Sequence, residues 1–234
     1  MDARRGFVPE DEINFSPDNI EILKIASKQV LFLLNEGYDL KKTVTFVGNH
    51  YLLSERQRLA IMRSVATEDQ LAHRKKKRVC IDDLFEKSVW IDGFNTIITL
   101  EVMHSRSILF ECMDGTIRDL AALRGTYRII PETDQAIRTM FKVLQNAKIK
   151  EAKILLDQPV SNSGRLKTLI AEIAEEYMVD SDIIICRDVD RRMYGKEYVV
   201  TSDSIVLDRC RSWFNIAAEC IAATEEETIC VWKK

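Results

Sequence analysis

The chain has 234 residues, 46% of them hydrophobic and 30% charged, with 8 glycines and 4 prolines. That composition excludes a collagen, a disordered tail and a low-complexity linker array, and the length allows one large domain or two small ones. The net charge of -3 is not the basic footprint expected of a sequence-independent nucleic-acid binder.

Residues 16 to about 78 read as helices. Ser16-Pro17 offers an N-cap and a first-turn proline. Ile20, Leu23, Ser27, Val30 and Leu34 then follow helical spacing, and Gly37 stops the run. A second helix is expected from Leu40 through Tyr51. Ser54 with Gln57, and Thr67 with Gln70, are capping boxes that mark two further helix starts. The five-residue basic run Arg74 to Arg78 lies near the expected boundary between a helical domain, 1–85, and a second domain, 86–234.

The second half alternates. Val89 to Ile91 is a short apolar run, and Asn95 to about Arg106 reads as a helix. Ser107 to Cys112 is strand-like and ends in a Met-Asp-Gly turn. A helix from Thr133 to about Ala147 precedes a strand at Lys153 to Leu156. A helix from Ser163 to Tyr177 precedes strands at Asp182 to Cys186 and Tyr198 to Val200. A helix from Asp208 to Ala223 and a strand from Thr228 to Trp232 complete the reading. Short apolar strands alternating with helices predict an α/β fold, a three-layer α/β/α domain with a mainly parallel sheet.

Three aspartates follow apolar runs: Asp92 after Val-Trp-Ile, Asp157 after Ile-Leu-Leu, and Asp203 shortly after Val199-Val200. Open parallel sheets bind ligands outside the carboxyl ends of their strands, so the three acids can meet on one rim. Clustered carboxylates stay ionised when a cation compensates them, and hard oxygen donors suit Mg²⁺ or Mn²⁺. Metal-activated water can then attack a phosphodiester. The same positions also suit aspartates that simply cap helices.

Val89-Trp-Ile-Asp-Gly-Phe-Asn95 resembles the first-strand signature of PIN-like nucleases, the NYN branch above all, and Val199-Val-Thr-Ser-Asp203 resembles a later strand of that superfamily. The resemblance implies an RNA-cleaving domain with Asp92, Asp157 and Asp203 as catalytic metal ligands. Asn95, Asp119 and Asp208 would be auxiliary, and Glu172, Glu175 and Glu176 are further helical acids. The whole chain is also similar to an uncharacterised family, domain of unknown function 434, through Asn35 to Tyr38, Phe46 to Tyr51, Leu53 to Arg58, Asp92 to Asn95, Asp114 to Asp119 and Asp157 to Gly164. That family supplies no activity.

Candidate phosphate groups are the small-residue loop Ser161, Ser163, Gly164 and Arg165 at a helix start, Arg118 beside Asp114, and the run Arg74, Lys75, Lys76, Lys77 and Arg78. Each has an ordinary structural alternative: a capped helix, a local ion pair, a solvated helix end. Asp188 and Asp190 read as part of a charged loop at the sheet rim. The six scattered cysteines and three histidines lack metal-ligand spacing. No signal peptide or membrane span is expected, so the chain reads as cytoplasmic, with RNA or another nucleic acid as candidate partner and a homodimer left open.

Three functions follow: a metal-dependent ribonuclease, a non-catalytic RNA-binding or interaction protein with a degenerate site, and a nucleotide or phosphate-ester enzyme on a Rossmann-like sheet. The charge splits unevenly: up to residue 88 there are 15 basic and 14 acidic residues, beyond it 19 and 23. A carboxylate metal site would account for part of that acidic excess.

Overall fold

In the computed structural model, residues 4–121, 125–224 and 227–233 are described. The N-terminal part is helical: α1 (Asp11–Asn14), α2 (Pro17–Asn35), α3 (Leu40–His50), α4 (Glu55–Ser64) and α5 (Glu68–Lys77). Ser16 stands at the N-cap of α2 without a side-chain bond. At the other end Gly37 takes φ +87°, and the N–H groups of Gly37 and Tyr38 reach back to Leu34 and Leu33. Both expected capping boxes are formed, Ser54 with Gln57 and Thr67 with Gln70.

A 3₁₀ turn (Ile81–Leu84) leads into the α/β part: β1 (Ser88–Asp92), α6 (Gly93–His104), the hairpin β2 (Leu109–Glu111) and β3 (Ile117–Asp119), α7 (Pro131–Asn146), β4 (Glu151–Asp157), α8 (Ser163–Tyr177), β5 (Ser181–Cys186), α9 (Val189–Met193), β6 (Val199–Val200), α10 (Ser204–Arg209), β7 (Trp213–Phe214) and α11 (Ile216–Thr224). Five strands form one parallel sheet in the order β5-β4-β1-β6-β7. The α/β reading therefore holds: N-terminal helices, then a parallel sheet with helices.

Strand alternation puts helices on both faces. Val89, Ile91, Ile154, Leu156, Val200 and Phe214 join the core built with α6, α7, α8 and α11. Leu155, Val199 and Trp213 face the other way, against Val189, Met193, Val206 and Leu207 of α9 and α10. A third core holds the N-terminal helices, and Phe110, Leu120 and Val231 from the second half complete it.

Three expectations are corrected and one strand is added. The span Asp208 to Ala223 is not one helix: α10 ends at Arg209, Trp213–Phe214 pairs with Val199–Val200, and α11 starts afresh. The strand Thr228 to Trp232 reduces to one bridge between Ile229 and Phe110, because this segment meets the hairpin and not the sheet. Ile117–Asp119 is a strand, and Val189–Met193 is a short helix. Among the described residues no helix is long and apolar enough to cross a membrane.

Candidate active-site cleft

The sheet runs outward from β1 in two directions, to β4 and β5 on one side and to β6 and β7 on the other. At such a switch the loops leaving neighbouring strands part and leave a crevice at the carboxyl ends. A cleft of about 460 Å³ lies there. Asp92, Asp157, Asp190 and Asp203 line it together with Asn95 and Ser202. It is also lined by Leu40, Met62 and Arg63 of the N-terminal helices and by Arg118 and Asp119 of β3.

Asp92 ends β1 and caps α6, accepting the Asn95 N–H at 3.3 Å. Its other oxygen accepts the Thr201 hydroxyl at 3.0 Å. Asn95 Oδ1 in turn accepts the Ser202 N–H at 2.8 Å and the Ser202 hydroxyl at 3.0 Å, stitching α6 to the loop after β6. Asp203 caps α10 by accepting the N–H groups of Ile205 and Val206 at 2.8 and 3.1 Å. The capping alternative is thus realised for Asp92 and Asp203, and both caps face the cleft. Asp157 and Asp190 carry no such bond among the described residues.

The acids feel one another. Burial, with the charges of Asp190 and Asp203 adding to it, pushes Asp92 up to about 7 against the hydrogen bonds from Thr201 and Asn95. Asp190 is raised by partial burial and then by Asp203, Asp157 and Asp188, and Asp157 by burial. Oxygen-only donors of this kind match the preference of Mg²⁺ or Mn²⁺. Among the described residues, no three His, Cys, Asp or Glu side chains stand close enough to enclose an ion. The acids surround the cleft and are not gathered on a point.

Other expected residues lie elsewhere or are already engaged. The Asp208 carboxylate is held by Arg74 at 2.6 and 2.9 Å and does not line the cleft, which removes it as an auxiliary ligand. Arg74 is 2% exposed and also binds Asp114 at 2.8 Å, so it cannot grip a nucleic-acid backbone. Lys77 donates to the carbonyls of Leu207 and Cys210, and Arg78 lies over the Trp213 ring, while Lys75 and Lys76 are exposed. Asp119 lines the cleft, but its oxygens accept from Thr99 and Arg63 and from the Ala121 N–H. Arg118 is tied to Asp114, Thr116 and the Arg63 carbonyl.

The loop before α8 is closed on itself. Ser163 donates to the carbonyls of Asp157 and Val160, and Ser161 bonds the backbone of Tyr127, leaving Gly164 and Arg165 exposed. Glu172, Glu175 and Glu176 are exposed on α8, and Glu176 pairs with Arg138. Sequence reasoning set Asp190 aside as a loop charge, whereas it sits in the first turn of α9, just after β5, and lines the cleft. It passed over Arg63 entirely, because nothing in α4 announces that its last turn borders a sheet.

Residues 81–219 match the family described as Domain of unknown function (DUF5616), and residues 22–77 match the one described as Protein of unknown function (DUF434). The second resemblance, expected over nearly the whole chain, is therefore confined to the helical part. An uncharacterized protein, MJ0935, of Methanocaldococcus jannaschii is 33% identical over 182 residues, covering 78% of this chain and 87% of that protein. No solved structure matches the chain.

Proposed function

We propose that this chain, which belongs to the family described as Domain of unknown function (DUF5616), is a Mg²⁺- or Mn²⁺-dependent ribonuclease. The observation that carries the reading is the meeting of Asp92, Asp157, Asp190 and Asp203 on one cleft at the carboxyl ends of the sheet. The resemblance of Val89 to Asn95 and of Val199 to Asp203 to PIN-like strands supports it. Because no three of them stand close enough to enclose an ion, a cation here would be held by at most two of these aspartates, with water completing its shell. When bound, it would neutralise the acids, polarise a phosphoryl oxygen and make water a stronger nucleophile.

The chain's own residues set the frame. Thr201 and Asn95 fix the Asp92 carboxylate, and the first turn of α10 fixes Asp203. Asp157 and Asp190 keep free oxygens on the opposite side of β1 from β6. A second reading, an RNA-binding module that does not cleave, is favoured by the spread of the acids around the cleft. The cleft's volume also lies in the range of small-ligand pockets, which supports a nucleotide or phosphate ester as substrate.

One assay separates these. Purified chain with Mn²⁺ is expected to cleave a labelled single-stranded RNA. Asp92→Asn is expected to lose activity by about 100-fold or more while circular dichroism stays unchanged, since Asn retains an acceptor for the Asn95 N–H. Binding without cleavage favours the module, and turnover of a mononucleotide with no cleavage of RNA favours the third function. Folded wild type that neither cleaves nor binds RNA overturns the ribonuclease reading.

A further inference from the structure

We infer that Arg63 is a phosphate-gripping residue of this cleft, contributed by the helical half and aimed by Asp119. The inference rests on the ribonuclease reading and extends it to the substrate side of the site. Arg63 lies in the last turn of α4 and lines the same cleft as the acids. Its guanidinium is tethered along one edge: Nη1 donates to the Asp119 carbonyl and reaches Asp119 Oδ1 at 3.3 Å, and Nη2 lies 3.5 Å from the Ala121 carbonyl. A guanidinium carries five donors in a fixed fork. Among the described residues its Nε has no partner, and the side chain keeps 32% of its surface exposed.

Asp119 is placed to aim that fork. Its Oδ2 accepts the Thr99 hydroxyl at 2.8 Å and its Oδ1 accepts the Ala121 N–H at 2.8 Å, so the carboxylate cannot swing away. Asp119 is 6% exposed and already has these partners, which makes it a positioning residue and not a further metal ligand. Arg118 braces the same corner by donating to the Arg63 carbonyl at 2.6 Å. Planar, bidentate recognition of phosphate is what arginine does best. A cleft lined by both carboxylates and a half-tethered arginine offers a guanidinium for phosphoryl oxygens beside acids that a cation on the same phosphate would offset. Leu40 and Met62 also line the cleft and add apolar surface to it.

The probe is a fluorescein-labelled ten-nucleotide single-stranded RNA, with binding measured in Ca²⁺ and cleavage in Mn²⁺. Mn²⁺ affinity is measured separately by electron paramagnetic resonance. Arg63→Ala is expected to weaken RNA binding about tenfold and to lower the salt slope of log K by about 0.7, the loss of one phosphate contact on a single strand, with Mn²⁺ affinity unchanged. Arg63→Lys is expected to restore part of the affinity. Asp119→Asn is expected to raise KM more than it lowers kcat. A folded Arg63→Ala chain with wild-type RNA affinity and salt slope overturns the inference while leaving the ribonuclease reading intact if that variant still cleaves. Where Arg63→Ala does not fold, Arg63→Gln, which keeps much of the length of the side chain and removes its charge, overturns it equally if it shows wild-type affinity and slope. Wild type that binds Mn²⁺ but no RNA overturns both.

Discussion

Gly93 shows how tightly the acid site is built into the backbone. It follows Asp92 at the first turn of α6 and is buried against β4. A Cβ added there would stand 2.6 Å from Leu156 Cδ2 and 2.8 Å from the Leu155 carbonyl oxygen. Leu156 can rotate, but the carbonyl belongs to the β1–β4 ladder and cannot yield without moving a strand. Gly93→Ala is therefore expected to cost about 2 kcal/mol, in the range of overpacked cores, and to displace Asp92. Urea denaturation measures the loss, and a variant as stable as wild type refutes the argument. At this scale Asp-Gly-Phe-Asn was readable as a motif, because each of its residues serves a local need: cap, close approach, core and stitch. Arg63 and Asp119 were not readable as a pair. Their contact joins α4 to the end of β3 across 56 positions, and neither residue is unusual where it stands.

Between elements, the ion network around Arg74 matters most. Arg74 on α5 binds Asp208 on α10 and Asp114 in the β2–β3 turn, and Asp114 also holds Arg118 at 3.0 Å. Burial pushes Asp114 up, but Arg118, the Thr116 hydroxyl and N–H, and Arg74 outweigh it and hold the carboxyl below its ordinary value. A carboxyl depressed in the folded state stabilises the fold above its unfolded pKa of about 3.9. That stability is lost as pH falls through the lower folded value. Asp114→Asn is expected to flatten the acid limb of stability below about pH 4 and to lower stability at pH 7, checked by urea titrations from pH 3 to 7. An unchanged acid limb refutes it. Elements with local signals were legible: α8 runs over Ser163–Tyr177 as its spacing predicts, and two capping boxes mark α4 and α5 correctly. Elements made by remote partners were not. Trp213–Phe214 is a strand because Val199–Val200 lies beside it and Val79 donates to the Trp213 carbonyl, while its own neighbours read as helix.

Across the whole molecule, the helical half does not close its own core. Phe110 is 1% exposed and packs edge-on against Phe15 at 5.1 Å between ring centroids, and Leu120, just past β3, and Val231, near the far end of the chain, fill the same core. The hairpin β2–β3 thus serves two masters: Phe110 and Leu120 finish the helical core, while Leu109 and Ile117 belong to the core under the sheet. Removing one body's packing must then loosen the other, and the cleft between α4 and the sheet rim depends on both. Phe110→Ala is expected to cost about 3–4 kcal/mol, as for a large core aromatic, and to weaken both halves together. The three tryptophans, Trp90, Trp213 and Trp232, all lie in the second half, and of these Trp213 also touches α5 through its indole N–H to the Arg74 carbonyl at 2.8 Å, so their fluorescence weights the second half, whereas helical circular dichroism reports both. If the shared hairpin couples the cores, the two signals follow one urea transition in wild type and one earlier transition in Phe110→Ala. A helical signal that melts well before the tryptophan signal in wild type would show that the halves fold independently. In that case Arg63 would be held at the cleft by surface contacts alone, and its role in phosphate recognition would need a different anchor.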